Sequence, residues 1–171
     1  MQVRLRRCNL ARIKLLILDV DGVLTDGGLP YSATGNEIKV FNVQDGAAIR
    51  AWQAVGGLAA IISGRQSPAV DGRAKDLGIA YVHQSVAQKL PVYEALCRQL
   101  GVKDEEVCMI GDDLPDLGPM SRCGCPIAVA NAVPLVKRAA CHVTQRHGGD
   151  GAVAEAVRRL LRRNETSEKT G

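Results

Sequence analysis

The chain has 171 residues, 46% of them hydrophobic, enough for one globular domain with a sizeable core and too apolar for a disordered chain. Its net charge of +4 comes mostly from the two ends, with Arg4, Arg6, Arg7 and Arg12 at one and Arg158, Arg159, Arg162 and Arg163 at the other, as solvated termini or as attraction for an anionic neighbour. Aromatic residues make up only 3% and are not interleaved with basic stretches, which argues against a nucleic-acid stacking surface; no apolar run approaches the ~20 residues of a membrane span.

In chain order, short apolar runs alternate with helical patterns. Leu15–Leu18 is the first strand candidate, followed by Leu58–Ile62, Ile79–Val82, Val107–Ile110, Ile127–Val129 and His142–Thr144. Most are continuously apolar, as in parallel strands covered on both faces. Between the first two runs, Gly27 to Val43 contains the turn Thr34-Gly35-Asn36 and alternation through Ile38, Val40 and Val43, which predicts an inserted β-hairpin flap. A helix follows Ser67-Pro68, with the serine hydroxyl as cap, and stops at Leu77-Gly78; a second runs from Pro91 to Leu100, and a third from Gly151 to Arg163. The polar tail after Asn164 is expected to be disordered. The whole reads as a single doubly wound α/β domain with a mainly parallel sheet. Lacking a signal-peptide pattern, the chain is expected in the cytoplasm. Cys8, Cys123, Cys125 and Cys141 follow no zinc spacing, so all six cysteines are expected as reduced, mostly structural thiols.

In open α/β sheets, ligands bind beyond the carboxyl ends of the strands. Asp19 and Asp21 follow the first run; Ser63, Gly64 and Arg65 follow the second; Lys89 comes after the third; "GDDLPD", with Asp112, Asp113 and Asp116, follows the fourth; Asn131 follows the fifth. Taken singly, each is as well explained by a turn, a helix cap or a solvated side chain. Together they bring five carboxylates to one edge, where repulsion calls for a cation. An all-oxygen ligand set without histidines selects a hard ion, Mg2+. Beside it, lysine, serine and glycine-rich turns suit phosphate, and a carboxylate is the available nucleophile.

The stretches "DVDGVLTDG", "ISGR", Lys89 and "GDDLPD" resemble the four ordered motifs of the haloacid dehalogenase superfamily of phosphatases. More narrowly, with "FNVQDGAAIR", "AVANAVPLV" and "VTQRHGGDGAVAEAV", the chain resembles its cap-less branch acting on 3-deoxy-D-manno-octulosonate 8-phosphate (KDO 8-phosphate). The resemblance implies Asp19 as nucleophile and Asp21 as general acid and base, with Mg2+ on Asp19, Asp112 and the Asp21 backbone carbonyl. It implies Ser63 and Lys89 on the phosphate, with Asp113 and Asp116 orienting Lys89 and metal-bound water. It also implies a homotetramer whose flaps complete neighbouring sites. Arg65, with Gly64, is expected to face the substrate carboxylate, or else to be a surface arginine at a helix start. The chain departs from the branch at Gln44, Val133, Asp150 and Ala154, where it lacks three usual arginines and a histidine. Nine-carbon sugar acid phosphates or other small phosphometabolites are therefore the alternative substrates. A phospho-receiver domain and a non-catalytic assembly module are the alternatives outside phosphatase chemistry.

Overall fold

The structure, a computed structural model, describes residues 8–168. Six strands, β1 (Leu15–Leu18), β2 (Leu58–Ile62), β3 (Tyr81–His83), β4 (Val107–Gly111), β5 (Cys125–Ala128) and β6 (His142–Val143), form one parallel sheet in the order β3-β2-β1-β4-β5-β6. Leu15 to Leu18 are fully buried, which explains why β1 reads as an unbroken apolar run: it is the central strand, paired with β2 on one side and β4 on the other. The order reverses between β1 and β4, so the loops leaving these two strands diverge around a crevice. Among the described residues, no helix is long and apolar enough to cross a membrane.

The helices are α1 (Val43–Ala54), α2 (Pro68–Leu77), α3 (Lys89–Leu100), α4 (Leu117–Arg122), α5 (Pro134–Ala139) and α6 (Ala152–Glu168). Glycines in the left-handed region close α2 and α3, Gly78 at φ 68° and Gly101 at φ 64°. Ser67 does not cap α2 as expected: its N–H is held by the Gln84 side-chain oxygen at 2.8 Å and its buried hydroxyl makes no hydrogen bond. Helix α3 begins at Lys89, two residues before the expected start. Helix α6 continues to Glu168, so the chain beyond Asn164 is helical that far rather than disordered; the expectation for the last three residues lies outside the described residues.

Two further sequence expectations change. The flap is a turn rather than a ladder: a single bridge joins Tyr31 to Glu37, with Ser32 N–H on Asn36 O at 2.8 Å and Ile38 N–H on Pro30 O at 2.9 Å. It ends before Asn42, whose side chain accepts from the N–H groups of Gln44 (2.7 Å) and Asp45 (3.4 Å), placing Val43 in the first turn of α1. The cysteines are not all reduced. Cys8 and Cys141, 133 residues apart, form a disulfide, because Leu10 and Ile13 bury themselves against α6 and carry Cys8 to the start of β6.

Candidate active site

The loop after β1 is set by its backbone. Asp19 N–H donates to Ile110 O at 3.2 Å, extending the β1–β4 pairing by one residue. Val20 O then collects the N–H groups of Val23, Leu24 and Thr25 at 2.9–3.2 Å, turning the chain sharply. Thr25 Oγ1 accepts from Gly22 N–H (3.4 Å) and Gly27 N–H (3.2 Å), fixing the turn from inside. Gly22 has φ 92°, and a Cβ there would lie 2.0 Å from Asp112 Oδ2. Only glycine lets the Asp112 carboxylate lie against this backbone.

Across the crevice, Asp116 folds back over the end of β4. Its Oδ2 accepts from the N–H groups of Asp112 (2.9 Å) and Asp113 (3.2 Å), and a Cβ on Gly111 would strike it. Its Oδ1 holds the Lys89 ammonium at 2.7 Å, and the same ammonium lies 2.7 Å from Asp19 Oδ1. One oxygen each from Asp19, Asp112 and Asp116 lies within 4.8 Å of the others. Burial and the neighbouring Asp116 push the Asp19 carboxyl up to about 6, against the opposing pull of Lys89. Burial, then Asp19 and Asp116, push Asp112 up to about 8. Burial pulls the Lys89 ammonium down, but the flanking Asp19 and Asp116 outweigh it, and its net shift is upward. Asp112 Oδ1 is buried and makes no hydrogen bond. An orphaned carboxylate oxygen beside a second carboxylate, with no histidine or sulfur in the group, fits a hard divalent cation.

Of the expected site residues, Asp19, Lys89, Asp112 and Asp116 come together. Asp113 stands apart: exposed, with its carboxylate on Leu114 N–H at 2.8 Å, it caps a 3-10 turn, and of the two acids Asp116 is the one that pairs with Lys89. Ser63, buried at the end of β2, receives the Arg65 N–H on its hydroxyl at 3.3 Å; Gly64 is exposed, its Cβ direction open except for Val86 O at 3.7 Å. Asn131 bridges outward: its amide donates to Gly22 O at 3.0 Å and its carbonyl accepts from Gly148 N–H at 2.7 Å.

Two residues missed in the sequence enter from the flap. Lys39, its side chain only 2% exposed, pairs with Asp21 Oδ1 and lies 2.8 Å from Glu37 Oε1. Glu37 also pairs with Arg65, whose guanidinium reaches Tyr31 Oη at 3.3 Å and stands 3.7 Å from Asp21 Oδ2. Hydrogen bonds from Lys39 and Arg65 hold Glu37 below the usual carboxylate range. The signal was available: Glu37 and Lys39 alternate with the exposed Ile38 and Val40, so they share the opposite side of the turn, which faces Asp21. Of the terminal arginines, Arg158, Arg159 and Arg162 line an exposed groove beside β6 with His142 and Arg146, while Arg12 pairs with Glu105 at 3.2 Å.

Comparison with known proteins bears on this arrangement. Residues 78–157 match the family model for haloacid dehalogenase-like hydrolases. The 3-deoxy-D-manno-octulosonate 8-phosphate phosphatase KdsC of Escherichia coli K12 is 43% identical over 149 residues, spanning 87% of this chain and 79% of that protein. The Moraxella catarrhalis 3-deoxy-D-manno-octulosonate 8-phosphate phosphatase, solved with magnesium, phosphate and KDO, superposes with a TM-score of 0.90 at 38% identity, over 94% of this chain and 92% of that one. The cobalt-bound Haemophilus influenzae deoxy-D-mannose-octulosonate 8-phosphate phosphatase does so with a TM-score of 0.88 at 42% identity, over 91% of each chain. Identity and superposition agree at this coverage: the chain belongs to the 3-deoxy-D-manno-octulosonate 8-phosphate phosphatase family of haloacid dehalogenase-like hydrolases.

Proposed function

We propose that the protein is a magnesium-dependent phosphomonoesterase that hydrolyses KDO 8-phosphate to KDO and phosphate. The observation that carries this is the placement of Asp19: it stands at the carboxyl end of the central strand, touching Lys89 and beside the orphaned Asp112 oxygen. Asp19, Asp112 and the Asp21 backbone carbonyl would hold Mg2+, which when bound offsets the repulsion between a carboxylate nucleophile and a phosphate dianion.

The Asp19 carboxylate attacks phosphorus in line. The phosphorus–oxygen bond to the sugar breaks, the sugar oxygen leaves with the proton of Asp21, and an aspartyl-phosphate forms on Asp19. Asp21 then takes a proton from the water that attacks this acyl phosphate, releasing inorganic phosphate and restoring both carboxyls. Lys89 and Ser63 bind the phosphate oxygens, and Asp116 positions Lys89. Arg65 takes the substrate carboxylate in place of Glu37, and Lys39 adds a second cation at the mouth of the site. Gln44, Val133, Asp150 and Ala154 stand where the branch pattern has three arginines and a histidine, which keeps a nine-carbon sugar acid phosphate as the second reading. A cytoplasmic setting suits a charged phosphosugar, which does not cross bilayers unaided.

The flap and the first turn of α1 support an assembly. Leu29, Tyr31, Ile38, Val40 and Val43 are all exposed, up to 73% at Val40 and 78% at Val43, in one short segment. We infer that neighbouring subunits of a homotetramer cover them. Val40→Asp together with Val43→Asp should lower the mass measured by light scattering, and an unchanged mass would refute this.

The activity test is phosphate release with Mg2+ across a panel of sugar phosphates, run beside Asp19→Asn. The expected result is preference for KDO 8-phosphate and a loss of several orders of magnitude in the variant. Equal release by the two proteins would overturn the mechanism, and preference for another sugar acid phosphate would overturn the substrate alone.

A further inference from the structure

At the opposite ends of the strands from the acids, a second cluster of metal-ligating side chains lies outside the phosphatase site. Cys125 opens β5 and is fully buried; Cys8 and Cys141 are half-buried and joined by a disulfide. Cys125 Sγ lies 3.9 Å from Cys141 Sγ, and the three sulfurs all fall within 4.8 Å of one another. Behind them, Cys108 is the ladder partner of Cys125, and the two free thiols share a hydrogen bond.

Each of the three positions is also held by contacts other than the disulfide. Cys125 is held in the sheet by β4, and Cys141 by its N–H on Pro126 O at 2.8 Å. Cys8 is placed by Leu10 and Ile13, 7% and 4% exposed, which pack into the core beside α6. Opening the sulfur–sulfur bond therefore leaves three thiols in one place. Thiolates bound ~2.3 Å from a common cation stand about 3.8–4.0 Å apart for tetrahedral to trigonal angles. The Cys125–Cys141 separation of 3.9 Å already has that value.

We propose that, once the Cys8–Cys141 disulfide is reduced, Cys8, Cys125 and Cys141 bind one thiophilic d10 cation, Zn2+ or Cu+, in a three-thiolate site. An external dithiol supplies the two electrons and two protons that convert the disulfide to two thiols, and is itself oxidised to a disulfide. The cation then displaces a proton from each thiol that ionises to bind it. Sulfur donors select against Mg2+, so this site and the carboxylate site do not compete for ions. Bound there, the cation fastens the N-terminal segment to the start of β6, as the disulfide does, and adds a tie to β5 through Cys125.

The test uses the full chain, reduced with dithiothreitol and desalted without oxygen, then titrated with Zn2+, with Cu+ and with Cd2+ as spectroscopic reporter. The expected result is one cation per chain and, with Cd2+, an ultraviolet sulfur-to-metal charge-transfer band that excess Mg2+ does not remove. Cys8→Ser and Cys125→Ser should each weaken binding at least tenfold, Cys97→Ser should not, and protein with the disulfide intact should show no band. Cys8 is half-buried, so its serine variant keeps the test valid if the buried Cys125→Ser fails to fold. Absence of the band in reduced wild type, or a band unchanged in Cys8→Ser, would overturn the proposal.

Discussion

Removing the divalent cation should make the stability of this protein fall as pH rises from 5 to 8. Asp19 is raised from its ordinary 3.8 to about 6 by burial and by Asp116. Between those values the folded chain holds a proton that the unfolded chain has shed, so raising pH favours unfolding. The full displacement corresponds to roughly 3 kcal/mol at 1.36 kcal/mol per pH unit. Only its upper part lies above pH 5, which leaves about 1.4 kcal/mol between pH 5 and 8 by the same relation. Asp112, pushed up to about 8, acts in the same direction and carries the decline to higher pH. For a chain of this size about 1 kcal/mol moves Tm by roughly 2–4 °C, so Asp19 alone should lower Tm by about 3–6 °C over this range. Mg2+ replaces the protons, so its stabilisation should be larger at pH 8 than at pH 5. Calorimetric melts in EDTA and in saturating Mg2+, at both pH values, measure this, with Asp112→Asn as the variant that should flatten the EDTA profile. A Tm in EDTA that is level or rising with pH, or an equal Mg2+ effect at both, would refute the reasoning.

Gly22→Ala should depress activity and weaken Mg2+ activation together, because its methyl would overlap Asp112 Oδ2 and the residue needs φ 92°; kcat against Mg2+ concentration reads this. Lys89→Met should leave Asp19 and Asp116 buried without their shared cation, costing about 3–5 kcal/mol in denaturant unfolding as well as most of the activity. Asp45→Ala should cost about 1 kcal/mol with kcat unchanged, since Asp45 Oδ1 accepts from Ala154 N–H at 2.8 Å and serves as a cap for α6 from another helix.

The strands were legible because both faces of the sheet are covered, so burial alone writes a continuous apolar run, as at Leu15–Leu18. The acids were legible because each follows such a run. Helix α1 escaped notice: only Ala48, Ile49 and Trp52 anchor its apolar side, and its Val43 continued an alternation that ends in the flap. Asp113 and Asp116 could not be ranked from spacing, since which of them reaches Lys89 depends on how the 3-10 turn over Gly111 folds back. Lys39 lay outside any strand end, and the Cys8–Cys141 bond, spanning 133 residues, has no local signature.

The turn carrying Asp19 and Asp21 is closed by parts of the chain made much later. Asn131 braces Gly22 from 109 residues away, Gly149 N–H reaches Val23 O at 3.1 Å, and Gly148 packs so closely that a Cβ would lie 1.8 Å from Gly22 O. A ribosome has thus delivered the proposed nucleophile, Asp19, long before its brace exists. Until the last loop emerges and docks, the nascent chain carries the carboxylate proposed to attack with no rigid frame to aim it, and on that reading competence arrives in one late step rather than by degrees.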